Sequence, residues 1–231
     1  MLLSDVVDYL QYGDLAQLYG GGGLVESYPR LFTTINMGLI ELHKRFPLKI
    51  KEVIIKAYPQ VATYVLHSDH AASNNSNVLS STYYIDDSPY PGFKFQDDII
   101  QIKSIYTERG EELPLNDKYK IYSLFTPTYN SIQIPYAEEE NAYAIQYKAL
   151  PEKIDTTITN ITNITIDLPH HLMECLSAYV AHRFLATVSS NPNESLNYYS
   201  KFEKACNDVN RLGLFNKDIL TNVKLWSNAW V

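Results

Sequence analysis

The stretch that most constrains this chain is Leu168 to Leu214, which reads as two consecutive helices with an abrupt break between them. Leu172, Leu176, Tyr179, Val180 and Phe184 recur at steps of three and four and make one apolar face. Cys175, Ala178 and Ala181 add a second face of small residues, where another helix can come close. A helix that is apolar on most sides has to sit among other elements. Pro169 suits the first turn, where its missing N–H costs nothing. The run Ser189-Ser190-Asn191-Pro192-Asn193-Glu194 stops the first helix and opens the second, with Asn191 as cap, Pro192 at the first position and Glu194 three residues after the cap. Leu196, Tyr199, Phe202, Cys206, Val209 and Leu212 then mark one dry face, and Gly213 ends the helix. So short a connection predicts an antiparallel hairpin with Leu176 and Phe202 in its core.

Upstream, two more helical patterns occur. Leu3, Val6, Val7 and Leu10 share a side before a break at Gly13, and Leu31, Ile35, Leu39, Leu42 and Phe46 form a stripe that Pro47 stops. Between them, Gly20 to Gly23 lack the preceding strand and the Lys-Ser/Thr pair that a phosphate loop needs, and read as a joint. His43 lies among Glu41, Lys44 and Arg45 and reads as solvated. From Lys49 the period becomes two: Lys49–Ala57 and Val61–Leu66 suggest a hairpin, Ala71–Phe95 a long polar loop, and Ile99–Tyr106 a strand. Tyr119–Leu124 and Ser131–Ile134 suggest a second hairpin, and Tyr143–Leu150 a last strand closed by Pro151. Thr156–Ile166 reads as an extended arm.

The fold class expected is α+β and mainly helical: an antiparallel bundle of two N-terminal and two C-terminal helices with an inserted antiparallel β subdomain. The segments are residues 1–48, the insert 49–167 with its loop 71–95, the hairpin 168–214, and a tail 215–231. Hydrophobic residues make up 45 % of the 231, enough for a proper core. Acidic residues outnumber basic ones by 26 to 19, which argues against a surface built to grip phosphates. No charged-then-apolar leader or bilayer-length apolar run is visible, so synthesis in a cytoplasm and no membrane contact are expected. Cys175 and Cys206 read as buried thiols. Tyrosine is frequent, with 19 copies, which suits interfaces but also follows from an A/T-rich genome.

Several segments taken in order resemble the head-to-tail adaptor proteins of short-tailed phages, the family of the first tail tubular protein. These are Tyr28-Pro29-Arg30 opening a helix that ends at His43-Lys44-Arg45-Phe46-Pro47-Leu48, and then Asp97-Asp98-Ile99-Ile100. They continue with Gly110-Glu111-Glu112-Leu113-Pro114-Leu115-Asn116-Asp117, Phe125-Thr126-Pro127-Thr128-Tyr129-Asn130, Tyr147-Lys148-Ala149-Leu150-Pro151, and the Leu168-Pro169-x-x-Leu172 helix. The likeness runs from about Tyr28 to Leu214 and departs in the loop Ala71–Phe95 and after Leu214. It implies a structural virion protein of the tail or neck. Such a protein forms a homo-oligomeric ring, a dodecamer in that family, which binds the portal and further tail proteins. DNA passes through the channel without specific binding.

No nucleophile–base order, glycosidase-like carboxylate pair or Cys/His metal spacing stands out, so no catalytic residue, cofactor or metal is expected. His67, Asp69 and His70 lack a further ligand in view. A rival reading is an enzymatic or carbohydrate-binding tail module, with Glu138, Glu139 and Glu140 as carboxylates and Tyr83, Tyr84 and Tyr90 as sugar-stacking rings. The expected interface residues are Trp226, Trp230, Phe215 and Ile219 of the apolar tail, with Tyr179 and Arg183 of the hairpin.

Overall fold

The computed structural model describes residues 1–16, 27–59, 61–74, 83–87, 94–135, 141–158, 160–188 and 192–215. Within these the chain divides into two compact units, one made of Met1–Phe46 with everything from Glu152 onward, the other of Pro47–Pro151.

The first unit contains helices α1 (Leu3–Tyr12), α2 (Tyr28–Arg45), α3 (Met173–Val188) and α4 (Pro192–Arg211). Residues Cys175 through Ala181 of α3 are all buried, and α1, α2 and α4 each pack on it. The contacts of Ser195 with His182 and of Phe202 with Tyr179 run α4 antiparallel to α3. Arg30 near Phe184 and Gly38 near Leu176 do the same for α2. Gly38 is there for space: a Cβ would stand 2.7 Å from a terminal methyl of Leu176 and 3.2 Å from the Tyr179 ring. That close approach offsets the roughly 1 kcal/mol that glycine costs inside a helix. Phe46 leaves α2 in an extended conformation, as a residue before proline must. Gly213, at φ 64°, follows the end of α4. The Asn191 cap lies outside the described residues, as do Gly20 to Gly23.

Two ties join parts of this unit that are far apart in sequence. The Asn36 carboxamide, buried in α2, donates to the Ile154 carbonyl at 2.8 Å and accepts the Ile154 N–H at 2.9 Å. Arg45 grips Glu203 of α4 with two nitrogens, at 2.7 and 3.0 Å, and lies over the Phe202 ring. This bidentate pairing raises the Arg45 pKa and holds the Glu203 carboxyl below its ordinary value. Residues 1–3 also pair with the arm, Leu3 N–H to Ile164 and Ile166 N–H to Met1. Glu152–Asp167, expected as the end of the β insert, therefore belongs with the helices. His43, expected on a solvated face, is buried, because α2 packs on more than one side.

Among its described residues the second unit holds seven strands in two antiparallel sheets. β1 (Ile50–Lys56), β3 (Ile85–Asp86), β4 (Ile99–Thr107), β5 (Glu112–Leu113) and β7 (Ala142–Ala149) form a sheet in the order β3-β1-β7-β4-β5. β2 (Thr63–Val65) pairs with β6 (Ser131–Gln133). Strict alternation turns Val53 and Ile55 of β1, and Tyr143, Ile145 and Tyr147 of β7, into the core. In β4 the inward residues are Ile99, Ile102 and Ile105. Two register shifts against β7 each insert one residue and stretch the period from two to three.

The expected fold class is overturned. Among the described residues the chain is not mainly helical: about 40 % of them are helix and 22 % strand, with a large β region and no two-helix N-terminal bundle. α1 contributes a single face (Leu3, Val6, Val7, Leu10), and α3 takes it. The β region has a core of its own, with Ile55, Tyr64, Ile105, Ile132 and Ile145 fully buried. β1 and β2 are not a hairpin, since β1 lies between β3 and β7 and β2 joins β6. β3 forms inside the stretch expected to be a loop. Asp87 next to it is buried and takes the Ser73 N–H at 2.9 Å, the Ser73 hydroxyl at 2.5 Å and the Phe95 N–H at 3.1 Å. Burial alone would raise the Asp87 pKa, but these bonds outweigh it and hold the carboxyl below its ordinary 3.8.

Two outcomes follow from these ties. Asn36→Ala leaves the Ile154 N–H and C=O buried without partners. It should lower unfolding free energy by about 1–3 kcal/mol for each group, measured by denaturant titration. Asp87 has a lowered folded-state pKa, so its contribution is fully present above the ordinary carboxylate value and is lost as pH falls through the lowered one. Asp87→Asn should therefore be less stable than the parent at pH 7, with the difference shrinking on acidification. Melting curves at pH 7 and pH 3 check this.

Candidate functional site

Among the described residues, chemistry-bearing side chains gather at four places, and most of their polar atoms are bonded within the unit, His70 Nδ1 excepted. The first is the α3–α4 turn, where Ser195 lies against His182. The serine hydroxyl donates to the His182 carbonyl at 3.1 Å and stands 3.0 Å from Nδ1. Nδ1 is also 2.9 Å from the Ser195 carbonyl. A carbonyl can only accept, so Nδ1 carries the proton and cannot serve as base toward Ser195. Tyr179 and Tyr199 contact the imidazole. The pair ties two helix ends and lacks the geometry of an activated nucleophile.

The second place is a cavity of about 290 Å³ in the β unit, lined by Lys51, Glu52, Asp86, Asp87, Phe95 and Tyr147 among others. Behind it, Lys51 Nζ donates to one Asp98 oxygen at 2.6 Å and the Tyr147 hydroxyl to the other at 3.1 Å. Burial, and then the Asp98 charge, push the Tyr147 phenol up, so it stays protonated. Both carboxylate oxygens have donors, which makes the trio a brace between β1, β7 and the start of β4.

The third is His67–His70. His67 Nδ1 accepts the Asp69 N–H, Ser68 holds the Asp97 carboxylate at 2.5 and 2.6 Å, and His70 stacks on Tyr84 with centroids 4.6 Å apart. His67 stands 3.2 Å from an Asp69 oxygen and 3.9 Å from an Asp97 oxygen while His70 turns to Tyr84, and no group of three or more metal-type ligands occurs among the described residues. The fourth is the thiol pair. Cys175 and Cys206 are both buried, and the hydrogen bond with Cys206, followed by burial, pushes the Cys175 thiol up.

The residues expected at an interface divide. Tyr179 is buried, with its ring edge-on to Phe202 at 5.1 Å, so it is a core residue. Arg183, one turn on, is exposed, and its Nε donates to the Tyr179 hydroxyl at 3.3 Å. Phe215 contacts Phe46 and His171, each with centroids 5.2 Å away. Ile219, Trp226 and Trp230 lie outside the described residues, as do Glu138, Glu139, Glu140 and Tyr90. Tyr84 is buried with its hydroxyl bonded to Val65, and burial pushes its phenol up to about 12, so it offers no ring to a sugar. The Tyr83 hydroxyl is buried too.

Large apolar side chains also face solvent on ordered elements. In the helical unit these include Tyr9 and Tyr12 of α1, Leu196 and Tyr199 of α4, and Leu212 and Leu214 beyond it. In the β unit they include Tyr119, Ile121, Tyr122 and Tyr129. Sequence reading missed the first three of these by placing Tyr119–Leu124 in a strand, whereas residues 118–122 form turns. The signal was present in Asn116-Asp117 and Ser123, which are turn-forming types at both ends of the run.

Ser195→Ala should cost about 1–2 kcal/mol of stability through the lost ties. A fluorophosphonate probe should leave the native chain unlabelled. Labelling that vanishes in Ser195→Ala would show an active nucleophile there.

No protein-family model matches the sequence, and no curated protein matches it significantly.

Proposed function

We propose that this chain is a structural subunit of a phage particle. It assembles as a ring below the portal, joins the capsid to the tail and extends the channel through which DNA passes. The observation that carries this reading is the contrast between its polar and apolar groups. Ser195 with His182 and Lys51 with Asp98 are paired off internally, while large apolar side chains stand in solvent on ordered elements of both units. A subunit built to assemble needs that distribution. The order of segments from Tyr28 to Leu214 supports the head-to-tail adaptor class in particular.

Under this reading the partners are copies of the chain, the portal and further tail proteins, and the protein performs no catalysis and carries no cofactor. Its net charge of −7 suits a channel wall along which DNA slides, because phosphate contacts are what create affinity. Trp226, Trp230 and Ile219 carry the docking role of the tail. Phe215, the last described residue, is held against Phe46 and His171.

The purified chain should sediment as a ring, alone at high concentration or when portal is added. A ring requires a heterologous contact in which one patch meets a different patch on the neighbour. A closed two-fold dimer with no larger species in the presence of portal would overturn the reading.

A further inference from the structure

The turn Asp117–Ser123 holds Tyr119, Ile121 and Tyr122 out at 97 %, 73 % and 75 % exposure. It is an ordered feature. Asn116, at φ 57°, accepts the Thr126 N–H and donates to the Thr126 hydroxyl, both at 2.9 Å. Ser123 is fully buried; its hydroxyl accepts the Asp117 N–H at 2.9 Å and contacts the Pro114 carbonyl at 3.1 Å. The Tyr119 N–H donates to the Asp117 carboxylate at 3.0 Å. The backbone is thus ordered before any partner arrives, which removes much of the entropy loss on binding. Tyrosine and isoleucine on such a frame are binding groups, since each offers a large apolar area to bury.

The charges around these groups identify what fits them. Lys118 and Lys120 are exposed and alternate with the apolar side chains. In the same unit the β4–β5 turn carries Glu108, Glu111 and Glu112 against a single Arg109. Glu108 is anchored to the Ala142 N–H at 2.9 Å, while Glu111 and Glu112 are exposed. Between the two turns lies a recess of about 230 Å³, lined by Thr107 and Leu113 from the acidic side and by Ile121 and Tyr122 from the basic side. The basic, apolar edge of one copy is therefore complementary to the acidic edge of a neighbouring copy, a contact between two different patches. The neighbouring glutamates would repel a phosphate backbone.

We propose that the Asp117–Ser123 turn of one copy docks on the β4–β5 turn of a second copy. Lys118 and Lys120 face Glu111 and Glu112 across the contact, and the tyrosines cover the recess. This rests on the assembly reading above and names the surface that reading requires.

Charge reversal in the full-length chain tests it. K118E/K120E and E111K/E112K should each weaken self-association at least tenfold by sedimentation velocity. Both pairs combined in one chain should restore it, with all variants melting like the parent. Y119S/I121S should weaken association without a charge change. Rings that form normally in every variant would overturn this contact and leave the ring reading standing. A closed dimer lost in each reversal and restored in the combination would support the contact and sink the ring. A combined variant no better than either reversal would overturn the pairing, and a chain monomeric at all concentrations, with and without portal, would defeat both readings.

Discussion

Helix α3 cannot exist in water by itself. Every residue from Cys175 to Ala181 is buried, so the helix is stable only once other elements surround it. The chain draws those elements from both sides of the β region: α1 and α2 come before it and α4 after it. The Asn36 bracket on Ile154 and the Arg45 fork on Glu203 lie on this junction between early and late sequence. The helical unit is therefore complete only after a long loop has closed. That closure costs entropy that grows slowly with loop length, so a whole β unit can sit in the interruption.

The β unit meets its own constraint differently. β7 is central, with β1 on one side and β4 on the other, and its inward residues set the core. Edges are kept short, since β3 and β5 have two residues each. Where ladder pairing stops, tyrosine hydroxyls substitute for it. Tyr64 takes the Tyr58 N–H at 2.7 Å, and Tyr84 takes the Val65 N–H at 3.0 Å and donates to the Val65 carbonyl at 2.7 Å. Their rings meet edge to face at 5.1 Å. These tyrosines brace the core, and a different set of tyrosines faces solvent.

That division shapes the functional reading. A nucleophile needs a free base and an acid–base carboxylate needs an open lone pair, yet Ser195, Asp98 and Asp87 already serve neighbours inside their units. Apolar area on rigid supports is open to partners, as at Tyr119, Ile121 and Tyr122. An assembling subunit gains from this arrangement because its surface is ordered before it meets the next molecule.

The sequence by itself determined the local elements whose cause is local. The stripes Leu31–Phe46 and Leu172–Phe184, the stops at Pro47 and Gly213, and the strand at Tyr143–Leu150 are legible because side-chain periodicity and backbone sterics act over a few residues. The buried Leu176 and Phe202 followed from the same spacing. Tertiary structure alone decided the rest. Nothing near Lys49–Leu66 says that β1 pairs with β7 and β2 with β6, since pairing depends on partners about a hundred residues away for β1. The period of three in β4 exists only because β7 imposes two bulges. His43, Asn36 and Tyr84 read as polar by type, but each is buried by elements distant in sequence. The exposed turn at Tyr119–Tyr122 looked like a strand because its residue types favour one, until bonds from Asn116 and Ser123 closed it. Residue type sets what a side chain can do; which of those things it does depends on neighbours that only the fold brings within reach.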